Sequence, residues 1–154
     1  MNRILFLASL LILASYAKAQ SKQDTISIRK CISDFYEGFQ LKKPDLVRNA
    51  IDSRLLFFND NYSNDPLQWQ SHLYLADSGI DTWIKFMIHE ASPHQNRLEW
   101  MRIYIRGKSA LVVTNETGSN RFRSWKNQTV VWNLGFNDGK WLILSAFLRD
   151  ISNP

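Results

Sequence analysis

Two periods of apolar and polar positions run along this chain. From Asp24 to Gln40, Ile28, Ile32, Phe35 and Phe39 recur at helical spacing, with Cys31 and Tyr36 alongside. The pattern predicts a helix that Asp24 or Thr25 can cap. Pro44 opens a second, short helix, "PDLVRNAI", because proline loses nothing in a first turn whose N–H has no partner. "LLFFND" reads as a strand, and the polar "NDNYSNDP" as a loop. Leu67 to Asp77, "LQWQSHLYLAD", fits either a short strand or a cover over a cavity. A third helix follows, with Ile80, Trp83, Ile84, Met87, Ile88 and Ala91 on one face. Asp81 sits in its first turn, where a negative charge suits the helix dipole.

The period then changes to two. Met101, Ile103 and Ile105 alternate with Arg102, Tyr104 and Arg106; Gly107-Lys108 turns the chain, and "SALVVTNE" returns. In the last hairpin, Asp138-Gly139 suits a type I′ turn, whose two central residues both need positive φ. Taken literally, that turn sets Phe136 opposite Trp141, Leu134 opposite Ile143, Trp132 opposite Ser145 and Val130 opposite Phe147. Seven of these eight are apolar, so the amphipathic helices must cover this side. Leu142, Leu144, Ala146 and Leu148 fall on the other side. A strand apolar on both faces belongs in the middle of a sheet. The prediction is an α+β fold: a curved antiparallel sheet with helices on its concave face.

The first residues carry a different signal. A positive start, "MNR", the apolar run Ile4 to Ala17, and "AKA" before Gln20 read as a signal peptide over residues 1–19. The run is shorter than the roughly 20 apolar residues that span a bilayer. The expectation is an exported protein, periplasmic or secreted, with no membrane partner after cleavage. One domain would occupy residues 20–154, long enough for a core without staples. Loss of Arg3 and Lys18 takes the formal charge from +5 to +3. A mildly basic exported chain does not point to nucleic acid.

Residue chemistry narrows little further. Cys31 is the only cysteine, so no intrachain disulfide forms, and its place among apolar helix positions suits a buried side chain. His72, His89 and His94 lack metal-ligand spacing, and no phosphate loop, dinucleotide fingerprint or nucleophile elbow occurs. No metal and no cofactor are expected. "RFRSWK", Arg121 to Lys126, reads as a solvated basic loop. Three N-x-S/T triplets, at Asn61, Asn115 and Asn127, would matter only in a eukaryotic secretory route.

The element order resembles the nuclear transport factor 2-like superfamily, which includes SnoaL-like and ketosteroid-isomerase-like proteins. "FYEGFQLKKPD", "LLFFND", "GIDTWIKFMIHEA" and the closing "WNLGFNDGKWLI" carry the resemblance over nearly all of residues 20–154. It implies helices and sheet forming a cone around a pocket. Trp83, Met87, Trp132, Leu134, Ser145 and Phe147 would line that pocket. The isomerase branch implies a tyrosine late in the first helix, here Tyr36, and an aspartate base near the end of the first strand, a place that falls on Asp60 or Asn59. Its third group, a protonated aspartate, would fall near Trp132, whose indole can only donate; steroid isomerisation is therefore not expected. Three readings remain open, since one fold hosts many activities. The first is a binder of a small, largely apolar molecule. The second is an acid/base enzyme, of isomerase, dehydratase or cyclase type, using Tyr36 and Asp60. The third is an interaction module with a filled cone. The outer sheet face, with Trp100, Tyr104, Leu111 and Val113 between Arg102 and Arg106, suits a homodimer interface.

Overall fold

The computed structural model describes residues 22–59, 71–75, 77–90, 92–121 and 124–149. The segment 1–19 expected to be a leader, Asp60, and Leu67 to Gln70 lie outside the described residues. Helix α1 covers residues 22–40. It is followed by α2 (Pro44–Ala50), β1 (Ile51–Asn59), β2 (Ser71–Leu75), α3 (Asp77–His89), β3 (Gln95–Arg106), β4 (Ser109–Ser119), β5 (Ser124–Asn137) and β6 (Lys140–Arg149). The strands form one sheet in the order β2-β1-β6-β5-β4-β3.

The α+β class and the four consecutive antiparallel strands match the expectation. β6, apolar on both faces, lies inside the sheet between β1 and β5. The sheet is mixed rather than wholly antiparallel, because β1 pairs parallel with β6. No hairpin can join that pair, so everything between them must act as the crossover. Ser71 to Leu75 resolves the ambiguous segment as a strand, paired antiparallel with β1.

Helices and inward strand positions share one core. Ile28, Ile32, Phe35 and Phe39 of α1 meet Ile80, Ile84 and Ile88 of α3, and Val112, Trp132 and Ile143 of the sheet. Helical spacing in one partner and alternation in the other put these residues on facing surfaces. Gly38 lets α2 approach α1: a Cβ there would stand 2.4 Å from Val47 Cγ2. Asp24 does more than begin α1, since it accepts a hydrogen bond from Trp141 Nε1 at 3.1 Å and ties the helix to β6.

The final hairpin turns as expected, with Asp138 at φ 48° and Gly139 at φ 80°. Phe136 pairs with Trp141 and Leu134 with Ile143. The register then shifts, and Asn133 pairs with Ser145, which leaves Leu144 as an extra residue. This β-bulge corrects the second half of the strand. Trp132 opposes Ala146 rather than Ser145, and Val130 opposes Leu148 rather than Phe147. Phe147 instead opposes Val131 on the outer face. Ala146 is fully buried and Leu148 packs against the core, so neither belongs to the outer surface.

Candidate functional site

The inward phase of β4 begins apolar and ends polar. Ala110 and Val112 lead to Thr114 and Glu116, all four buried. Glu116 is only 2% exposed. Among the described residues, three donors converge on its carboxylate. Tyr36 of α1 donates its phenolic proton to Oε1 in a short hydrogen bond. Thr114 donates to the same oxygen at 3.0 Å, and Asn96 Nδ2 to Oε2 at 2.9 Å. Three donors on two oxygens suit the ionised, acceptor-only carboxylate.

Thr114 also lies 3.5 Å from the Val130 carbonyl. It has one proton, and the nearer and charged acceptor is Glu116. Its oxygen in turn accepts from Trp132 Nε1 at 2.9 Å. The indole is thus satisfied inside the core, and its N–H points into the same cluster. Burial, followed by the Glu116 charge and the hydrogen bond to it, drives the Tyr36 hydroxyl well above the ordinary phenol range. Tyr36 stays a neutral donor.

Gln128 completes the cluster. It lies opposite Glu116 across the β4–β5 ladder, on the same inward phase as Val130 and Trp132. It is 1% exposed, and its Nε2 has no hydrogen-bond partner. Asn96 Oδ1 is likewise buried without one. Just before Gln128, Asn127 takes a left-handed φ of 55°. There the register slips from Glu116–Gln128 to Gly118–Trp125. Asparagine tolerates that conformation, and the bulge turns Trp125 over Gly118, where a Cβ would come within 2.7 Å of the ring. The "RFRSWK" segment is therefore not all solvated loop: Ser124 to Lys126 open β5, and Trp125 is half-buried.

Around the cluster stands an aromatic wall. Phe35 and Tyr36 meet the Trp132 ring edge to face, at 5.3 and 5.6 Å between centroids. Phe39 meets Trp83 at 5.5 Å and His94 at 5.4 Å. His94 is bonded to the Met87 carbonyl at 2.7 Å. Among the described residues no group of His, Cys, Asp and Glu is placed to hold a metal. Cys31 is buried, donates to the Ala50 carbonyl at 3.3 Å, and has its thiol pushed up to about 12 by burial.

Of the expected site residues, Tyr36, Trp83, Met87, Trp132 and Leu134 face the common core. Ser145 and Phe147 do not share it: the bulge puts both on the outer face, where Ser145 Oγ accepts from the exposed Asn133 amide at 2.8 Å. Asp60 lies outside the described residues. The carboxylate beside Tyr36 comes from β4, not from the Trp132 position that the resemblance pointed to. Glu116 was missed although its signal is simple. With Leu111 and Val113 facing out, Thr114 and Glu116 continue the inward phase of Ala110 and Val112.

No family model matches the sequence, and no curated protein matches it. Solved structures match its fold. An NTF2-like protein from Cytophaga hutchinsonii is 14% identical, covering 80% of this chain and 95% of its own, with a TM-score of 0.63. A protein of unknown function with a cystatin-like fold from Nostoc punctiforme is 10% identical over 85% and 93%, at TM-score 0.66. A candidate dehydratase of the NTF2-like family from Streptomyces avermitilis is 10% identical over 85% and 98%, at TM-score 0.64. The fold is the cystatin-like, nuclear transport factor 2-like α+β fold.

Proposed function

We propose that this nuclear transport factor 2-like chain is an exported binding protein for a small, largely apolar molecule. Tyr36, Asn96, Thr114 and Glu116 form the polar end of its site, and Trp83, Met87 and Trp132 its apolar wall. One observation carries the reading: Glu116 is buried in an aromatic surround with three donors arranged on it. Burying a carboxylate costs several kcal/mol, and an apolar side chain of similar size often serves stability as well. Positions that break the local rule in this way are where function concentrates. Nile red, a neutral apolar dye, tests it: saturable one-site binding that displays Trp132 fluorescence transfer is expected. A folded protein that binds no dye at up to about 1 mM, well past the weak end of specific affinity, removes the reading.

A second reading is favoured by the same pair of side chains. Tyr36 and Glu116 could serve acid/base chemistry, with Glu116 in place of the Asp60 that the sequence suggested. The likeness to a candidate dehydratase supports it as fold analogy only. Turnover of an unsaturated ketone or a hydroxy compound, lost in Glu116→Gln, would promote it over simple binding.

For assembly we propose a homodimer through the outer sheet face. Trp100, Tyr104, Leu111 and Leu144 are 43%, 56%, 39% and 39% exposed on that face, and Arg102 stacks over Trp100 at 5.3 Å. Aromatic residues with arginine are enriched at interface cores.

A further inference from the structure

Two of the buried polar atoms that lack a hydrogen-bond partner stand on the strands to either side of Glu116. Gln128 Nε2 is a donor and Asn96 Oδ1 an acceptor; both are buried, and neither has a hydrogen-bond partner. They flank the same carboxylate. Asn96 reaches Glu116 from β3 at 2.9 Å, and Gln128 faces it from β5. The amide of Asn96 cannot be turned round to improve matters, because its oxygen would then face an ionised oxygen. Folded proteins satisfy nearly all such groups, since each buried orphan costs free energy that water would otherwise return. A donor and an acceptor left open on two sides of one carboxylate form a recognition pattern.

We infer that the ligand carries a neutral group that both accepts and donates a hydrogen bond, a hydroxyl or a primary amide. It accepts from Gln128 Nε2 and donates to Asn96 Oδ1. The inference rests on the pocket reading above and gives it a ligand class. The adjacent Glu116 excludes anions: a ligand carboxylate would meet a like charge inside a low-dielectric interior. An acceptor-only ketone would satisfy Gln128 and leave Asn96 open. A bare hydrocarbon would satisfy neither.

Competition against Nile red with four matched probes tests this: naphthalene, 1-naphthol, 1-naphthamide and 1-naphthoate. Naphthol and naphthamide are expected to compete about 10-fold or more better than naphthalene, the effect of closing one buried orphan. Naphthoate should be weaker than both. In Gln128→Met, which keeps length and removes the amide, the preference for naphthol over naphthalene should fall to within about twofold. The same variant without ligand should melt higher, by about 3 °C or more, because a buried unpaired donor is gone. Affinity and stability therefore move in opposite directions. Equal competition by naphthalene and naphthol overturns the inference and leaves the pocket reading standing. Tight binding of naphthoate, or a lower melting point for folded Gln128→Met, also overturns it. Failure of Nile red itself removes the pocket reading and the ligand class with it.

Discussion

The inward side of the β4–β5 ladder has two ends, and they bury different chemistry. At the turn end Ala110 opposes Leu134 and Val112 opposes Trp132. At the far end Thr114 opposes Val130 and Glu116 opposes Gln128. Both ends are dry: apart from Ala110 at 5%, the side chains at both ends are 2% exposed or less. The first end is a core in the ordinary sense, where volume decides the outcome. The second spends buried space on polar groups that do nothing for packing. Trp132 is the boundary: its ring belongs to the first end and its N–H, bonded to Thr114, to the second.

The largest expected effect lies at that boundary. Trp132→Ala should destabilise the protein by about 3–5 kcal/mol, the usual cost of truncating a buried aromatic, measured by urea unfolding. A loss below about 1 kcal/mol would mean that the ring is not the hinge between the two ends.

Alkaline titration separates the ends next. Cys31 lies towards the turn end, and its thiol is pushed up to about 12 by burial from the usual 9.0. The native state thus holds this proton longer than the unfolded chain. Its contribution to stability is intact below about pH 9 and declines as pH rises towards 12, by at most about 4 kcal/mol. Tyr36 adds a second loss above about pH 10, because burial and the Glu116 charge raise it too. Cys31→Ala should remove the first loss and Tyr36→Phe the second. An alkaline profile unchanged by either substitution would contradict both assignments.

Glu116→Gln should cost about 1–3 kcal/mol, because an amide N–H must then face one of three donors. A neutral result would break the claim that the far end is built around an ionised carboxylate. Smallest of all is Leu144→Asp on the outer face. It should change monomer stability by less than about 0.5 kcal/mol, yet shift sedimentation from dimer to monomer. A wild-type protein that sediments as a monomer at tens of micromolar would end the dimer proposal.

What could be read from the residues alone follows the range of the interactions. α1, α3 and the Asp138-Gly139 turn were legible because helical spacing and turn chemistry are local. The central place of β6 was legible because Leu142 to Leu148 is apolar in both phases. The parallel β1–β6 pairing was not, since it joins segments about ninety residues apart with no turn to announce it. Neither the bulge at Asn127 nor the one at Leu144 was foreseen. Asn127 stands out only as the start of an N-x-T triplet until its φ is known, and nothing in "LILSAF" marks Leu144 as the extra residue. Glu116 was within reach of simple counting, but a carboxylate on an apolar phase reads as a strand end until its partners are known.

The bulge at Leu144 bears on how this protein tolerates insertions and deletions. Beyond it, β6 could present Ala146 and Leu148 inward, as it does, or Ser145 and Phe147. Hydrophobicity alone hardly separates those choices. Size does: the inward place opposite Trp132 holds an alanine, and a phenylalanine on that phase would crowd a ring already in contact with Phe35 and Tyr36. Loss of the single codon for Leu144 would remove the bulge yet keep Ser145 opposite Asn133 and Ala146 opposite Trp132, so the inward and outward phases of the strand would survive it.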